Sequence, residues 1–184
     1  FVFDFDGVLT NNLVHLDQDG KESVSCSRAD GLAFDVLRKL NKSSYILSTE
    51  KNTVVTARAD KLGIPVLQGV GDKVRDIHKL DLKEGFDLQD VLYVGNDLND
   101  YRVMQLCGYK VCPSDSHELI KTIANIVLKT KGGFGIVREL LEDVFQINFI
   151  QILYPEWGDK MKKPIFIIAE IGINHNGDLG ITKD

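Results

Sequence analysis

The chain has 184 residues, 43% hydrophobic and 27% charged, with 16 glycines and a formal net charge of −5 at pH 7. These values exclude a disordered or collagen-like chain, and the length suits one substantial core with appendages rather than two full-sized domains. Net acidity argues against nucleic acid or an anionic membrane as the main partner, while a small anionic substrate held by a metal or a few local cations stays open.

No apolar run approaches the 18 residues of a membrane span, so no membrane partner is expected. Cys26, Cys107 and Cys112 are odd in number and lack C-x-x-C spacing, which suits neither a disulfide framework nor a zinc site and makes the cytoplasm the expected compartment. Strand character begins at the first residue, without an initiator Met, so a longer parent polypeptide is expected.

In chain order the pattern predicts a strand over 1–5 and a polar hairpin over about 13–27, turning at Asp17-Gln18-Asp19-Gly20. A helix comes next over about 31–40, with Leu32, Phe34 or Val36, Leu37 and Leu40 on one face. Strands over 45–47, 65–67, 91–94, 109–111 and 126–128 then alternate with helices over about 52–62, 73–80, 100–106 and 117–124, and a last helix covers about 136–150. Such alternation predicts a doubly wound α/β fold, a parallel sheet between two helical layers. Residues 151–163 read as a linker and 164–172 as a new strand that belongs to a second unit, so the expected division is 1–150, 151–163 and 164–184.

Ligands of such sheets bind at the carboxyl ends of the strands. There the sequence places Asp4 and Asp6, then Ser48 to Glu50, then Gly71-Asp72-Lys73, and finally Gly95-Asn96-Asp97-Leu98-Asn99-Asp100. If the first strand persists, Asp4 and Asp6 leave one face roughly 7 Å apart. Two acids among Phe1, Val2, Phe3, Phe5 and Val8 need a compensating charge, and Mg²⁺, which takes carboxylates, water and phosphate oxygens, supplies it. The 95–100 loop offers further oxygen ligands. Lys73 at a helix start neutralises a phosphate or a carboxylate nucleophile, and Ser48 and Thr49 donate hydrogen bonds to a phosphoryl oxygen.

Asp4-Phe-Asp-Gly-Val-Leu-Thr, Ser48, Lys73 and Gly95-Asn-Asp-Leu-Asn-Asp100 resemble, in order and spacing, the four motifs of the haloacid dehalogenase (HAD) superfamily, and the likeness runs to about residue 145. Arg28-Ala-Asp30-Gly31, Gln68-Gly-Val-Gly-Asp-Lys73 and Lys131-Gly-Gly-Phe-Gly-Ile-Val-Arg138-Glu139 resemble its capless branch, which hydrolyses phosphorylated 2-keto-3-deoxy sugar acids. The resemblance implies a Rossmann-like three-layer sandwich with a β-hairpin flap and no cap domain. It further implies a Mg²⁺-dependent phosphomonoesterase in which Asp4 is the nucleophile, Asp6 the acid and base, and Ser48 and Lys73 stabilise charge. The implied metal set is Asp4, the Asp6 carbonyl, and Asn96 or Asp97, with Asp100 behind them.

Two departures from the branch bear on substrate. Motif two reads Ser48-Thr49-Glu50-Lys51-Asn52, where octulosonate phosphatases usually have Thr-Gly-Arg, and Phe134 stands where the branch often has Arg. Thr49 and Glu50 are expected near the sugar and Arg58 and Lys61 at its carboxylate; because the Glu50 version resembles the nonulosonate branch, a nonulosonate 9-phosphate is favoured, with octulosonate 8-phosphate as the alternative. The branch also implies a homotetramer built on the hairpin. Residues 166–179 resemble the opening of sialic acid synthases, which implies fusion to such a domain and a place in sialic acid biosynthesis. A non-catalytic assembly module of a fused pathway protein is disfavoured because Asp4, Asp6 and Lys73 are all present; a receiver-type domain leaves the Asp-x-Asp-Gly spacing unexplained.

Overall fold

The computed structural model describes residues 1–158. Six short strands, β1 (Val2–Phe3), β4 (Tyr45–Leu47), β5 (Val66–Leu67), β6 (Leu92–Val94), β7 (Tyr109–Cys112) and β8 (Ile126–Val127), form one sheet in the order β5-β4-β1-β6-β7-β8. Every pairing in it is parallel. Strands of two to four residues suffice because both faces are covered, and their side chains are mostly apolar instead of alternating. The chain runs outward from β1 through β4 to β5, then returns to place β6 on the other side of β1. That reversal opens the crevice in which doubly wound sheets bind ligands.

One core cluster packs Phe3, Ile46 and Val94 against α1 (Ala29–Lys39) and α2 (Val54–Leu62). The other packs Val2, Leu47 and Tyr93 against α3 (Lys73–Glu84), α4 (Tyr101–Leu106) and α5 (Glu118–Ile123). On α1 the buried apolar residues are Ala33, Phe34, Val36 and Leu37, whereas Leu32 is exposed, so the inward face is rotated from the expected one. The flap is an antiparallel hairpin of β2 (Thr10–Leu16) and β3 (Glu22–Cys26), in which Val14 faces Val24. Val24 and Cys26 rest on the core, while Leu13, Val14 and Leu16 are exposed. Three helices close the described region: α6 (Ile136–Glu139), α7 (Phe149–Leu153) and α8 (Pro155–Gly158).

Two expectations need correction. The helix expected over 136–150 is broken: α6 passes into a π-helical turn, Leu140–Val144, and Gln146 takes a left-handed φ of 53°. A positive φ ends the helix and turns the chain into α7. The expected linker then starts too early, since Ile152 and Leu153 pack on the core and Lys39 Nζ donates to the Leu153 carbonyl. The rest of that linker past 158 and the synthase-like segment lie outside the described residues. Among the described residues no helix is long and apolar enough to cross a membrane.

Candidate active site

Four strand ends converge as expected, but the two leading acids do not share a strand face. The ladder stops at Phe3, although the Asp4 N–H still reaches the Val94 carbonyl at 2.9 Å. The Phe5 carbonyl then accepts the N–H groups of Val8, Leu9 and Thr10, curling the chain through Gly7 at φ 76°. Asp4 therefore points from a strand end and Asp6 from a turn. Thr10, missed in the sequence reading, organises that turn: its hydroxyl accepts from the Gly7 and Asn12 N–H groups at 3.2 Å and donates to Asp6 Oδ1 at 3.4 Å. The available signal was a threonine four residues after the second acid.

Lys73 is the first residue of α3, placed there by Asp72, whose carboxylate caps the helix through the Val74 and Arg75 N–H groups. Its ammonium lies 2.8 Å from Asp4 Oδ1 and 2.6 Å from Asp100 Oδ1, with all three side chains at most 5% exposed. Two buried carboxylates thus face one cation. Burial, then the Asp100 charge, push the Asp4 carboxyl well above its usual range, against the pull of Lys73. Burial works to lower the Lys73 pKa, yet Asp4 and Asp100 together raise it, so the ammonium stays charged. Asp6 is also raised, first by burial and then by Glu50. A shift in this direction favours the protonated form that a general acid uses.

Around the triad the 95–100 loop is tied back to Asp100. Asp100 accepts the Tyr93 hydroxyl at 2.9 Å on Oδ1, and the Asn96 and Asp97 N–H groups on Oδ2. Its oxygens are therefore occupied within the protein, in keeping with a place behind the direct metal ligands. Tyr93, a buried tyrosine in an apolar strand, is a second residue the sequence reading missed. Asp97 is exposed and its Oδ1 accepts the Leu98 N–H at 2.7 Å. Asn96 is buried against Gly7, and its Oδ1 has no hydrogen-bond partner among the described residues. Ser48, 1% exposed, closes motif two by accepting the Glu50 N–H at 3.1 Å.

The expected substrate contacts fare differently. Thr49 is exposed beside Ser48. Glu50 folds back, its Oε1 accepting the Lys51 and Asn52 N–H groups. Arg58 donates to the Ser27 carbonyl at 2.7 Å, tying α2 to the hairpin. One guanidinium nitrogen of Arg58 is thus spent on this tie, while its buried Nε has no hydrogen-bond partner among the described residues. Lys61 is exposed on α2.

Among the described residues no three His, Cys, Asp or Glu side chains cluster as a metal site. A hard cation nevertheless fits here, through mixed oxygens: the orphaned buried Asn96 Oδ1, the Asp4 carboxylate and main-chain carbonyls, where the buried acids outnumber Lys73.

A family profile described as haloacid dehalogenase-like hydrolase matches residues 35–140, more than half of the chain, and the chain belongs to that family. Within it, the 3-deoxy-D-manno-octulosonate 8-phosphate phosphatase KdsC of Yersinia pestis is 32% identical over 142 residues, 77% of this chain and 76% of the relative. The cobalt-bound deoxy-D-mannose-octulosonate 8-phosphate phosphatase of Haemophilus influenzae superposes with a TM-score of 0.74 at 28% identity, covering 79% of this chain and 85% of that one. The corresponding phosphatase of Moraxella catarrhalis, solved with magnesium ion, phosphate ion and KDO, shares the fold at TM-score 0.76 and 24% identity, over 88% and 92% of the two chains. The chain is thus a HAD hydrolase related to sugar-acid phosphatases, with the Rossmann-like sheet that family shares.

Proposed function

We propose that this enzyme hydrolyses the phosphomonoester of a 2-keto-3-deoxy sugar acid through a phosphorylated Asp4. The single observation that carries the reading is the buried Lys73 ammonium held between Asp4 and Asp100 at the mouth of the sheet. Lys73 orients Asp4 through Oδ1, which leaves Oδ2 to attack phosphorus in line with the departing sugar oxygen. As that P–O bond breaks, Asp6 gives its proton to the sugar oxygen. Asp6 then takes a proton from the water that cleaves the aspartyl phosphate, releasing phosphate and regenerating Asp4. Ser48 and Thr49 hydrogen-bond the phosphoryl oxygens, while Lys73 offsets their charge. Asp4, the Asp6 carbonyl and Asn96 Oδ1 would hold Mg²⁺, which when bound neutralises phosphoryl charge; Asp97 is left to shape the loop.

The comparisons support octulosonate 8-phosphate over the nonulosonate 9-phosphate favoured by the sequence, because the named relatives are octulosonate phosphatases and Glu50, the residue that favoured nine carbons, is engaged within the protein. Phosphate release measured across both sugar acid phosphates, with and without chelator, tests this. A higher kcat/KM for the octulosonate ester is expected; metal-independent turnover, or full activity in Asp4→Asn, refutes the mechanism.

The exposed Leu13, Val14 and Leu16 of the hairpin support assembly into a homotetramer that covers the uncapped site. Light scattering after size exclusion should give four chains per particle, and a monomer at micromolar concentration rejects it. A phosphatase domain that runs through Leu153 and, over 164–184, the start of a sialic-acid-synthase-like domain fused to it are proposed, which the reading frame beyond Asp184 checks.

A further inference from the structure

The segment between β8 and α6 is held by its own backbone. Glu139, itself buried, accepts the Lys129 and Thr130 N–H groups at 2.8 Å, one on each carboxylate oxygen. Asp115 accepts the Gly132 N–H at 3.0 Å, and buried Asp30 accepts the Val137 and Arg138 N–H groups. Two carboxylates, Glu139 and Asp115, therefore hold the loop itself, and a third, Asp30, holds the start of the helix that follows it.

What the loop meets is the turn that carries Asp6. The Gly133 N–H donates to the Val8 carbonyl at 2.9 Å. A Cβ on Gly132 would overlap the Gly7 carbonyl and lie 3.1 Å from the Thr10 carbonyl oxygen. Gly132 does not have a left-handed φ, so contact alone, not torsion, requires glycine there. A Cβ on Gly7 would in turn overlap the Asn96 amide.

Resting on the phosphatase reading, we propose that Gly132 is a positioning residue for proton transfer: it backs Gly7 so that Asp6, one residue before it, stays within reach of the leaving oxygen. Asp6 carries its hydrogen bond from Thr10, whose carbonyl the same glycine abuts. A displaced acid penalises a leaving group that must be protonated and spares one that departs as a stable anion.

The test compares Gly132→Ala with the wild type on two substrates: whichever sugar acid phosphate the wild type turns over fastest, and p-nitrophenyl phosphate, whose phenolate leaves without a proton. We expect kcat on the sugar ester to fall about tenfold or more with KM unchanged, and p-nitrophenyl phosphate turnover to fall less than about threefold. Glu139→Gln, which puts an amide NH₂ against one of the two loop N–H groups, should give the same bias in smaller measure, and it decides the matter if Gly132→Ala does not fold. Equal losses on both substrates, or no loss on either, overturn the inference while leaving the phosphatase reading intact. Wild-type protein inactive on every ester overturns both.

Discussion

Helix α3 carries two sets of charges that look alike in sequence and differ in physics. At its first residue, Lys73 is 2% exposed and pairs with Asp4 and Asp100. One turn later Asp76 pairs with Arg75 and Lys79, whose side chains are 59% and 63% exposed. Water screens the second set, which holds little more than its own geometry. The first has lost its hydration, so every member depends on the others and none can be removed without leaving a bare charge inside the protein. The ion pairs at the candidate site are those the fold has made expensive to break.

The sharpest way to break that contrast is Asp4→Asn, which should lower kcat on the order of 10⁴-fold or more in a steady-state phosphate-release assay. Next comes Lys73→Met, which keeps the chain's length and leaves Asp4 and Asp100 unpaired. It should destabilise by about 3–5 kcal/mol in urea titrations at neutral pH and abolish turnover. A third buried carboxylate, Asp30, lacks an ammonium partner and extends the series. Burial pushes it up to about 6 from 3.8, against the backbone N–H groups of Arg138 and Val137 that it accepts. Being an acid with a raised folded-state pKa, it holds more protons folded than unfolded in that window, so stability falls as pH rises through it and stays lower above it. Asp30→Asn should remove that fall, about 3 kcal/mol between pH 4 and pH 7, from the pH dependence of urea denaturation. Smallest is Arg75→Ala, which should leave kcat/KM unchanged and barely move Tm. A large loss there would erase the distinction between the two ends of α3.

Much of the site was legible because its chemistry sits at strand ends, and short apolar runs such as Leu92-Tyr93-Val94 announce strands whatever loop they lead into. The three acidic or polar clusters and Lys73 could therefore be brought together from topology alone. Local pattern failed where long-range contact decides. Asp4 and Asp6 read as strand neighbours, but the Phe5 carbonyl captures three successive N–H groups and ends the strand. Arg58 shows helix spacing that suits a solvated face, yet the hairpin brings the Ser27 carbonyl against it. The break at Gln146 is marked by no glycine or proline in Leu140–Val144.

Tyr93 lies wholly inside an apolar cluster, with its hydroxyl on Asp100. The centre of the sheet and the buried Lys73 cluster are therefore joined through one oxygen: repacking in the cluster that holds Met104 and Ile77, if it tilts this ring, reaches the ammonium two hydrogen bonds away. Efforts to harden this protein by filling its interior should consequently be scored by turnover as well as by melting temperature, because on this side of the sheet the two properties cannot be tuned apart.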